Sequence, residues 1–340
     1  MKQISIIIPC RNEEKFISKC LDSIINNDFP KDKLEVLVID GKSSDSTPEI
    51  VKSYLKKYSY ITLLNNSEKN TIAGLNLGIK NTSGDIIMRV DGHSYIEKDY
   101  IQQCVDTLTR TGADNVGGAM RPVGETYIQQ AIAFATSSIF GMGWGRFHYS
   151  DKEEYVDTVY LGAFKRSIFD KVGLFDPEML YSEDNELNLR IIRNGSKILL
   201  SPRIKSYYYP RESLKELWKQ YFNYGYFKLK VILKHGLTIS LRHFIPSFFV
   251  ASLFITAILS FFKQIFLYLL SALLSTYLIV SLLFSLKNSL NKGIRYFPIL
   301  PIVFATLHFS YGIGFLKGIW DFIVLKKHKR RKIEDVPLTR

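Results

Sequence analysis

The stretch IIMRVDGHSYI, residues 86–96, decides the interpretation of the fold. An apolar run that is typical of a buried strand ends here at Asp91, Gly92 and His93. A carboxylate, a residue without a side chain and an imidazole make an unusually polar end for such a strand. Because ligands of open α/β sheets bind beyond the carboxyl ends of the strands, this triplet marks a candidate binding site.

The rest of the first hundred residues alternates between strand and helix patterns. Four short apolar runs are predicted to be strands: residues 4–8, 34–39, 61–64 and 86–90. Apolar residues recur at helical spacing over 16–25, and a helix is predicted near 72–80. Thr47 is placed to cap a further helix, with Pro48 at its first position. This alternation predicts an α/β fold with an open, mostly parallel sheet and helices on both faces.

A second carboxylate ends a predicted strand at Asp40. Parallel strands bring their carboxyl ends to one edge, so Asp40 and Asp91 are predicted to share it. Taken alone, each aspartate is also explained as a turn residue. A dinucleotide or P-loop site is disfavoured, because no Gly-x-Gly-x-x-Gly follows the first strand and the sequence has no Walker lysine motif.

Charge and hydropathy change along the chain. The formal net charge is +13, and Lys and Arg far outnumber Glu between residues 196 and 243, just before the first long apolar segment. That placement favours a membrane surface over nucleic acid as the partner. The three cysteines lack metal-site spacing and do not pair off evenly, which fits a reducing compartment.

The last hundred residues predict a membrane region over 244–325. Segments 244–262 and 265–286 each supply about 20 apolar residues, enough to cross a hydrocarbon core as a tight hairpin. A third segment, 296–320, contains Pro and Gly, and whether it crosses is left open. Flanking cations predict attachment to the cell (inner) membrane, with the N-terminal part of the chain on the cytoplasmic side. A basic tail follows over 326–340.

Four motifs, met in order, resemble those of family 2 glycosyltransferases with the GT-A fold. They are ISIIIPCRNEEKFISKCLDSI (4–24), EVLVIDGKSSDST (35–47), NTIAGLNLGIKNTSGDIIMRVDG (70–92) and YSEDNELNLRIIRNG (181–195). Within the family, RVDGH, DNELN, QYFNYG and the apolar tail are most similar to the membrane-attached succinoglycan-type glucosyltransferases. The resemblance implies a catalytic domain over 1–235, including interfacial helices at about 212–235.

The resemblance implies a metal-assisted donor site. The family usually carries Asp-x-Asp where this chain has Asp91-Gly92-His93, and uses it to hold a divalent metal on the donor diphosphate. Mn²⁺ or Mg²⁺ is therefore expected, bound by Asp91 and His93, with a hydrogen bond from His93 to phosphate as the alternative. The residues expected to bind the donor are Pro9, Arg11, Asn12, Glu13, Asp40, Asn76, Gly78, Asp91 and Gly92.

The same resemblance assigns the catalytic base and the acceptor side. Asp184, beside Glu183, aligns with the family's acidic pair and is expected to take the proton of an acceptor hydroxyl. Complementarity to a helix dipole is the simpler explanation of these two acidic residues. Gly162 and Ala163 are expected to leave space beside the sugar on the acceptor side. Alternatively, these residues are small because the core packs closely there.

The expected function is inverting transfer of a single sugar, a hexose from a UDP-linked donor, to a lipid-linked or envelope polysaccharide acceptor. A processive synthase is an alternative, although WKQYFNYGYFK, residues 218–228, lacks the Arg-Trp pair of such enzymes. A catalytically silent, nucleotide-binding membrane scaffold is another. Nucleic acid is not expected as a partner.

Overall fold

A computed structural model describes residues 2–143, 145–236 and 241–326. The chain divides into two compact units. The first comprises the chain up to Arg121 together with Arg146–Tyr209, and the second comprises Pro122–Gly145 and the chain from Pro210 onward. The helix after Pro210 thus groups with the C-terminal helices, a different division from the predicted domain boundary at 235, which stays a prediction.

The first unit contains all the strands found among the described residues. Their bounds are β1 Ile4–Cys10, β2 Leu34–Asp40, β3 Ile61–Asn65, β4 Ile86–Arg89, β5 Ser94–Ile96, β6 Asn115–Gly118, β7 Glu154–Tyr155, β8 Tyr160–Lys165, β9 Ile198–Leu200 and β10 Ser206–Tyr208. Eight form one sheet in the order β3-β2-β1-β4-β8-β6-β9-β7, and β5 pairs with β10 in a second. Strands β1 to β4 of the large sheet are mutually parallel, whereas β8 is antiparallel to both of its neighbours.

The helices are numbered along the whole chain. Their bounds are α1 Ile17–Ile25, α2 Thr47–Leu55, α3 Thr71–Lys80, α4 Tyr100–Thr111, α5 Tyr127–Thr136, α6 Ile139–Met142, α7 Ser167–Val172, α8 Glu183–Arg193, α9 Leu214–His235, α10 Ile245–Ser260, α11 Gln264–Lys292 and α12 Leu300–Gly318, which continues as a π-helix over Ile319–Val324.

The large sheet is covered on both faces, as predicted. Along β1, Ile6 and Ile8 pack in one buried cluster with residues of α1, α2 and α4. Ile7, between them, packs in a separate cluster with residues of α3, α7 and α8. This alternation follows from the two-residue repeat of a strand. The predicted α/β class and mostly parallel sheet are confirmed.

The predicted cap at Thr47 is wrong by one residue. Ser46 is the N-cap of α2, without a side-chain hydrogen bond, and Thr47 is the first helical residue. The Thr47 hydroxyl instead accepts a hydrogen bond from the backbone N–H of Glu13 at 2.8 Å. Thr47 is fully buried. Its hydroxyl therefore stabilises the loop after β1 instead of capping α2.

In the second unit, the apolar helices differ from the predicted segments in length. α10 has 16 residues, a rise of about 24 Å, which is less than the roughly 30 Å of a hydrocarbon core. Among the described residues, α11 and α12 with its π-helical extension are long and apolar enough to span a membrane, by length and composition. Three residues, Phe261–Lys263, connect α10 to α11, whereas the predicted segments are separated by residues 263 and 264. The basic tail from residue 327 lies outside the described residues.

Glycines let α9 approach α12 closely within the second unit. A Cβ on Gly225 would lie 2.1 Å from the carbonyl oxygen of Tyr311, and one on Gly314 would lie 2.1 Å from that of Phe222. Small residues at a helix crossing permit such backbone approach. The apolar stretch of α12 is accordingly about half buried, whereas that of α11 is almost entirely exposed.

Two glycines one turn apart in α3 provide a test of packing against the sheet. A Cβ on Gly78 would lie 2.5 Å from Cγ2 of Ile7, whereas one on Gly74 meets its neighbours at 3.4 Å or more. We expect Gly78→Ala to destabilise the protein by about 1–3 kcal/mol through overpacking. Gly74→Ala should be neutral or stabilising by up to about 1 kcal/mol, because it gains helix propensity. Thermal unfolding of both variants in detergent checks this, and equal shifts would contradict the packing argument.

Candidate active site

The polar triplet lies where the sequence analysis expects it, directly beyond β4. Asp91 follows the buried Val90, and 13% of its side chain is exposed. A Cβ on Gly92 would come within 3.0 Å of Cβ of Cys10 and 3.2 Å of Cγ of Glu13. Glycine at this position therefore lets the end of β4 lie against the loop that follows β1.

Arg89, the last residue of β4, joins three carboxylates. Its Nε donates to Oδ1 of Asp91 at 2.7 Å, and its Nη1 donates to Oδ1 of Asp184 at 2.7 Å and to Oε1 of Glu183 at 3.2 Å. Only 11% of the arginine side chain is exposed. Asp91 and Asp184, far apart in the chain, are therefore brought to one guanidinium group.

The electrostatics of this cluster follow from burial and from the charges of Arg89 and the three carboxylates. Burial lowers the pKa of Arg89, but Asp184, Asp91 and Glu183 outweigh it, so the pKa is raised well above its ordinary value. Burial, with the charge of Asp184, raises the pKa of Glu183 to about 7 despite Arg89. The pKa of Asp184 is raised by burial and by Asp91, against the opposing effect of Arg89.

Asp184 is the most accessible of the three carboxylates. Its side chain is 39% exposed, compared with 13% for Asp91 and 14% for Glu183. Because the two other carboxylates are largely covered, Asp184 has the most room to meet an incoming hydroxyl. Of the predicted acidic pair, Asp184 is therefore the more accessible, and its role as a base stays a prediction.

Helix α8 presents the acidic pair at its first turn. Glu183 and Asp184 lie at the start of the helix, where the helix dipole favours negative charge. Glu186, in the same turn, is fully buried and accepts from Nε and Nη2 of Arg190 at 2.7–3.0 Å. Arg190 also donates to the carbonyl oxygen of Leu174 at 2.8 Å. Glu186 therefore anchors α8, and only the first two carboxylates face Arg89.

The loops after β1 and β2 are joined by hydrogen bonds. The Asn12 side chain accepts from the backbone N–H of Ser44 at 2.8 Å, and the Asn12 N–H donates to the hydroxyl of Ser43 at 2.9 Å. Asn12 adopts φ 56°, a left-handed conformation that asparagine tolerates. Asp40 is 8% exposed and accepts from the backbone N–H of Ser43 at 3.1 Å. Pro9 is the residue of β1 that pairs with Ile39, so it lies at the same edge.

His93 contacts the loop after β1. Its Nδ1 lies 3.0 Å from Oε1 of Glu13, a largely buried carboxylate. A histidine oriented in this way by a carboxylate has its Nε2 available to a ligand, which is a common arrangement at metal sites. Within residues 2–143, 145–236 and 241–326, no three His, Cys, Asp or Glu side chains converge to hold a metal by themselves. One carboxylate and one imidazole suit a cation whose other ligands are phosphate oxygens and water.

Four of the predicted residues have structural contacts. Asn76 donates to the carbonyl oxygen of Phe175 at 2.8 Å and accepts from its N–H at 3.0 Å, so both ends of its amide are engaged. Gly78 lets α3 pack on the sheet, as described above. Gly162 and Ala163 are buried in β8, and a Cβ on Gly162 would lie 2.6 Å from the ring of Phe164. Their predicted donor and acceptor roles stay predictions.

The sequence analysis missed Arg89. The sequence did contain a signal, because Arg89 interrupts the apolar run 86–90 that predicts a buried strand. An arginine is rarely buried unless it is paired. What a single sequence could not supply was the partner, since Asp184 lies 95 residues further along the chain.

The fold defines the class of protein. A solved mannosyltransferase from Pyrobaculum calidifontis, in complex with GDP-Man and Mn²⁺, superposes with a TM-score of 0.61 at 19% identity, covering 94% of this chain and 88% of that one. This likeness establishes the fold, which is the GT-A fold of nucleotide-sugar transferases.

Sequence comparisons identify the family. A Methanococcus voltae dolichyl N-acetyl-alpha-D-glucosaminyl phosphate 3-beta-D-2,3-diacetamido-2,3-dideoxy-beta-D-glucuronosyltransferase is 33% identical over 94% of this chain and 98% of its own length. The succinoglycan biosynthesis protein ExoA of Rhizobium meliloti is 27% identical over 93% and 95%. The model of glycosyl transferase family 2 matches residues 5–173, and the chain belongs to this family. The predicted family is thereby confirmed.

The hydroxyl of Thr47 offers a test of how the loop after β1 is held. Thr47→Val removes the acceptor of the Glu13 N–H while nearly preserving volume, and an unsatisfied buried donor costs about 1–3 kcal/mol. We expect faster hydrogen exchange in a peptide covering residues 11–15. Thr47→Ser, which keeps the hydroxyl, should retain slow exchange. Equal exchange in both variants would show that this hydrogen bond does not hold the loop.

Proposed function

We propose that the chain is a metal-dependent, inverting glycosyltransferase that transfers a single sugar, a hexose, from a UDP-linked donor to a lipid-linked or envelope polysaccharide acceptor. The observation that carries the proposal is the convergence of Asp91 and Asp184 on Arg89. It supports a donor-holding carboxylate and a proton-accepting one within reach of the same sugar.

In the proposed reaction, Asp184 takes the proton of the acceptor hydroxyl as that oxygen attacks the anomeric carbon. The new carbon–oxygen bond forms while the bond to the donor's β-phosphate oxygen breaks, and the nucleoside diphosphate leaves. A single displacement inverts the configuration at this carbon. A positioned base typically accelerates such a step about 10²- to 10⁴-fold.

Asp91 and His93 are the residues that would hold the divalent metal, either Mn²⁺ or Mg²⁺. When bound, the metal neutralises charge that develops on the leaving diphosphate. Glu13 orients His93, and Gly92 lets the loop after β1 lie against the triplet. The mannosyltransferase of the same fold was solved with Mn²⁺, which agrees with the oxygen and nitrogen ligands present here.

The acceptor and its location are inferred from the relatives and the second unit. The Methanococcus voltae relative acts, by its name, on a dolichyl-linked sugar phosphate. In this chain an open apolar groove of about 390 Å³ lies among Phe140, Phe249 and the face of α11 from Leu269 to Val280. An apolar surface of this kind is compatible with a hydrocarbon chain. We infer attachment to the cell membrane, with the catalytic unit on the cytoplasmic side.

The role of Asp184 is tested by Asp184→Asn. We expect sugar transfer to fall about 10²- to 10⁴-fold while nucleotide binding at saturating Mn²⁺ is retained, because the amide keeps the shape but accepts no proton. Asp170→Asn, which changes an exposed carboxylate on α7, is the matched control and should transfer normally. Full turnover by Asp184→Asn would remove the base from the proposal.

The metal and the donor are tested together by release of nucleotide from UDP-, GDP- and dTDP-sugars. EDTA should abolish turnover, and added Mn²⁺ or Mg²⁺ should restore it. Asp91→Asn should require a higher metal concentration, since one ligand loses its charge. Turnover that is indifferent to EDTA would contradict metal dependence, and products carrying many sugars would indicate a processive enzyme instead.

A further inference from the structure

Arg89 is the only cation in direct contact with the acidic cluster of Asp91, Glu183 and Asp184, within the described part of the chain. Three carboxylates and one guanidinium leave a formal charge of −2 when all are ionised. A divalent cation is the ligand that balances this charge. The arginine nevertheless already occupies Oδ1 of Asp91, the carboxylate expected to bind that cation.

The contacts divide the guanidinium between two structural elements. Its Nε is directed to Asp91, just beyond β4, and its Nη1 serves both Asp184 and Glu183 at the start of α8. A planar guanidinium has a fixed arrangement of donors, so it can make such contacts at two sites at once, whereas an ammonium group acts as a point charge. Charged groups that share one partner in a partly buried site do not act independently.

We propose that Arg89 is a positioning residue that couples cation binding at Asp91 to the placement of Asp184. The inference deepens the proposed function and rests on it. A divalent cation and the guanidinium compete for Asp91, and weakening of the Arg89–Asp91 contact leaves Asp184 and Glu183 as the remaining partners of the arginine. The Arg89 side chain thereby links the expected metal ligand, Asp91, to the expected base, Asp184.

The sign of the effect on metal affinity distinguishes this role from a purely structural one. We expect Arg89→Gln to bind Mn²⁺ about fivefold or more tightly than the wild type, because a competing positive charge is removed. The measurement is a titration of the full-length protein with Mn²⁺ followed by electron paramagnetic resonance, with and without UDP. Weaker or unchanged Mn²⁺ binding in a folded Arg89→Gln protein would overturn the proposal.

Arg166→Gln is the matched control. Arg166 is also partly buried in the first unit, but its guanidinium donates to the carbonyl oxygen of Gly84 at 2.5 Å and to the hydroxyl of Thr82 at 2.9 Å. Its loss removes an arginine and its hydrogen bonds without touching the acidic cluster. Mn²⁺ affinity should therefore stay at the wild-type value, and a matching gain in Arg166→Gln would also overturn the proposal.

Arg89→Lys keeps the charge and provides a test if Arg89→Gln does not fold. In the wild type, Asp184→Asn should weaken Mn²⁺ binding, because Arg89 then attaches more fully to Asp91. In the Arg89→Lys background this weakening of Mn²⁺ binding should be smaller by about twofold or more. One ammonium group lacks the fixed donors with which the guanidinium contacts Asp91 and Asp184 at once. An identical effect of Asp184→Asn in both backgrounds would refute the coupling.

The outcomes separate this inference from the proposed function. A wild-type protein that binds Mn²⁺ and transfers sugar, with Arg89 variants that show no coupling, overturns only the role of Arg89. A wild-type protein that binds no Mn²⁺ with or without UDP overturns the proposed metal use and the coupling together.

Discussion

The ion cluster around Arg89 is the interaction on which the arrangement of the site depends. Carboxylates withdrawn from water are costly unless they are paired and hydrogen-bonded. Here one guanidinium compensates three of them, so the end of β4 and the start of α8 must lie within hydrogen-bond distance of a single side chain. Removing one partner of a buried ion pair destabilises a protein more than replacing the whole pair by apolar residues does, because it leaves an uncompensated buried charge. The cluster is therefore a strict constraint on the fold.

The elements around the cluster are fixed by contacts that do not take part in it. Glu186 and Arg190 hold α8 to the backbone at Leu174, and the buried Leu187 and Ile191 pack its other face against the sheet. On the opposite side, hydrogen bonds join the loops after β1 and β2, which are predicted to bind the donor. Because both sides are held independently, Asp184 can remain accessible without losing its position.

The sequence predicted the first half of the sheet well and the second half poorly, for physical reasons. β1 and β2 are long apolar runs buried on both faces, so their periodicity is plain. β7 and β9 have two and three residues, and β8 contains Gly162, so local pattern carries little information there. Asp91 and Asp184 were recognised through motifs. Arg89 was not, because its structural role depends on contacts with Glu183 and Asp184, which are distant in the chain.

Local sequence pattern also does not show how α9 is packed within the second unit. The helix carries lysines and tyrosines, and its predicted interfacial position stays a prediction; in the structure it packs on α12 through Gly225 and Gly314. At the end of α12, the buried Asp321 accepts from the hydroxyl of Tyr226 on α9 at 3.1 Å and pairs with Lys317 at 2.7 Å. A buried carboxylate needs such partners, so α9 and α12 stabilise one another. The contacts between α9 and α12 explain why the second compact unit begins before α9, while the predicted limit of the catalytic domain at residue 235 stays a prediction.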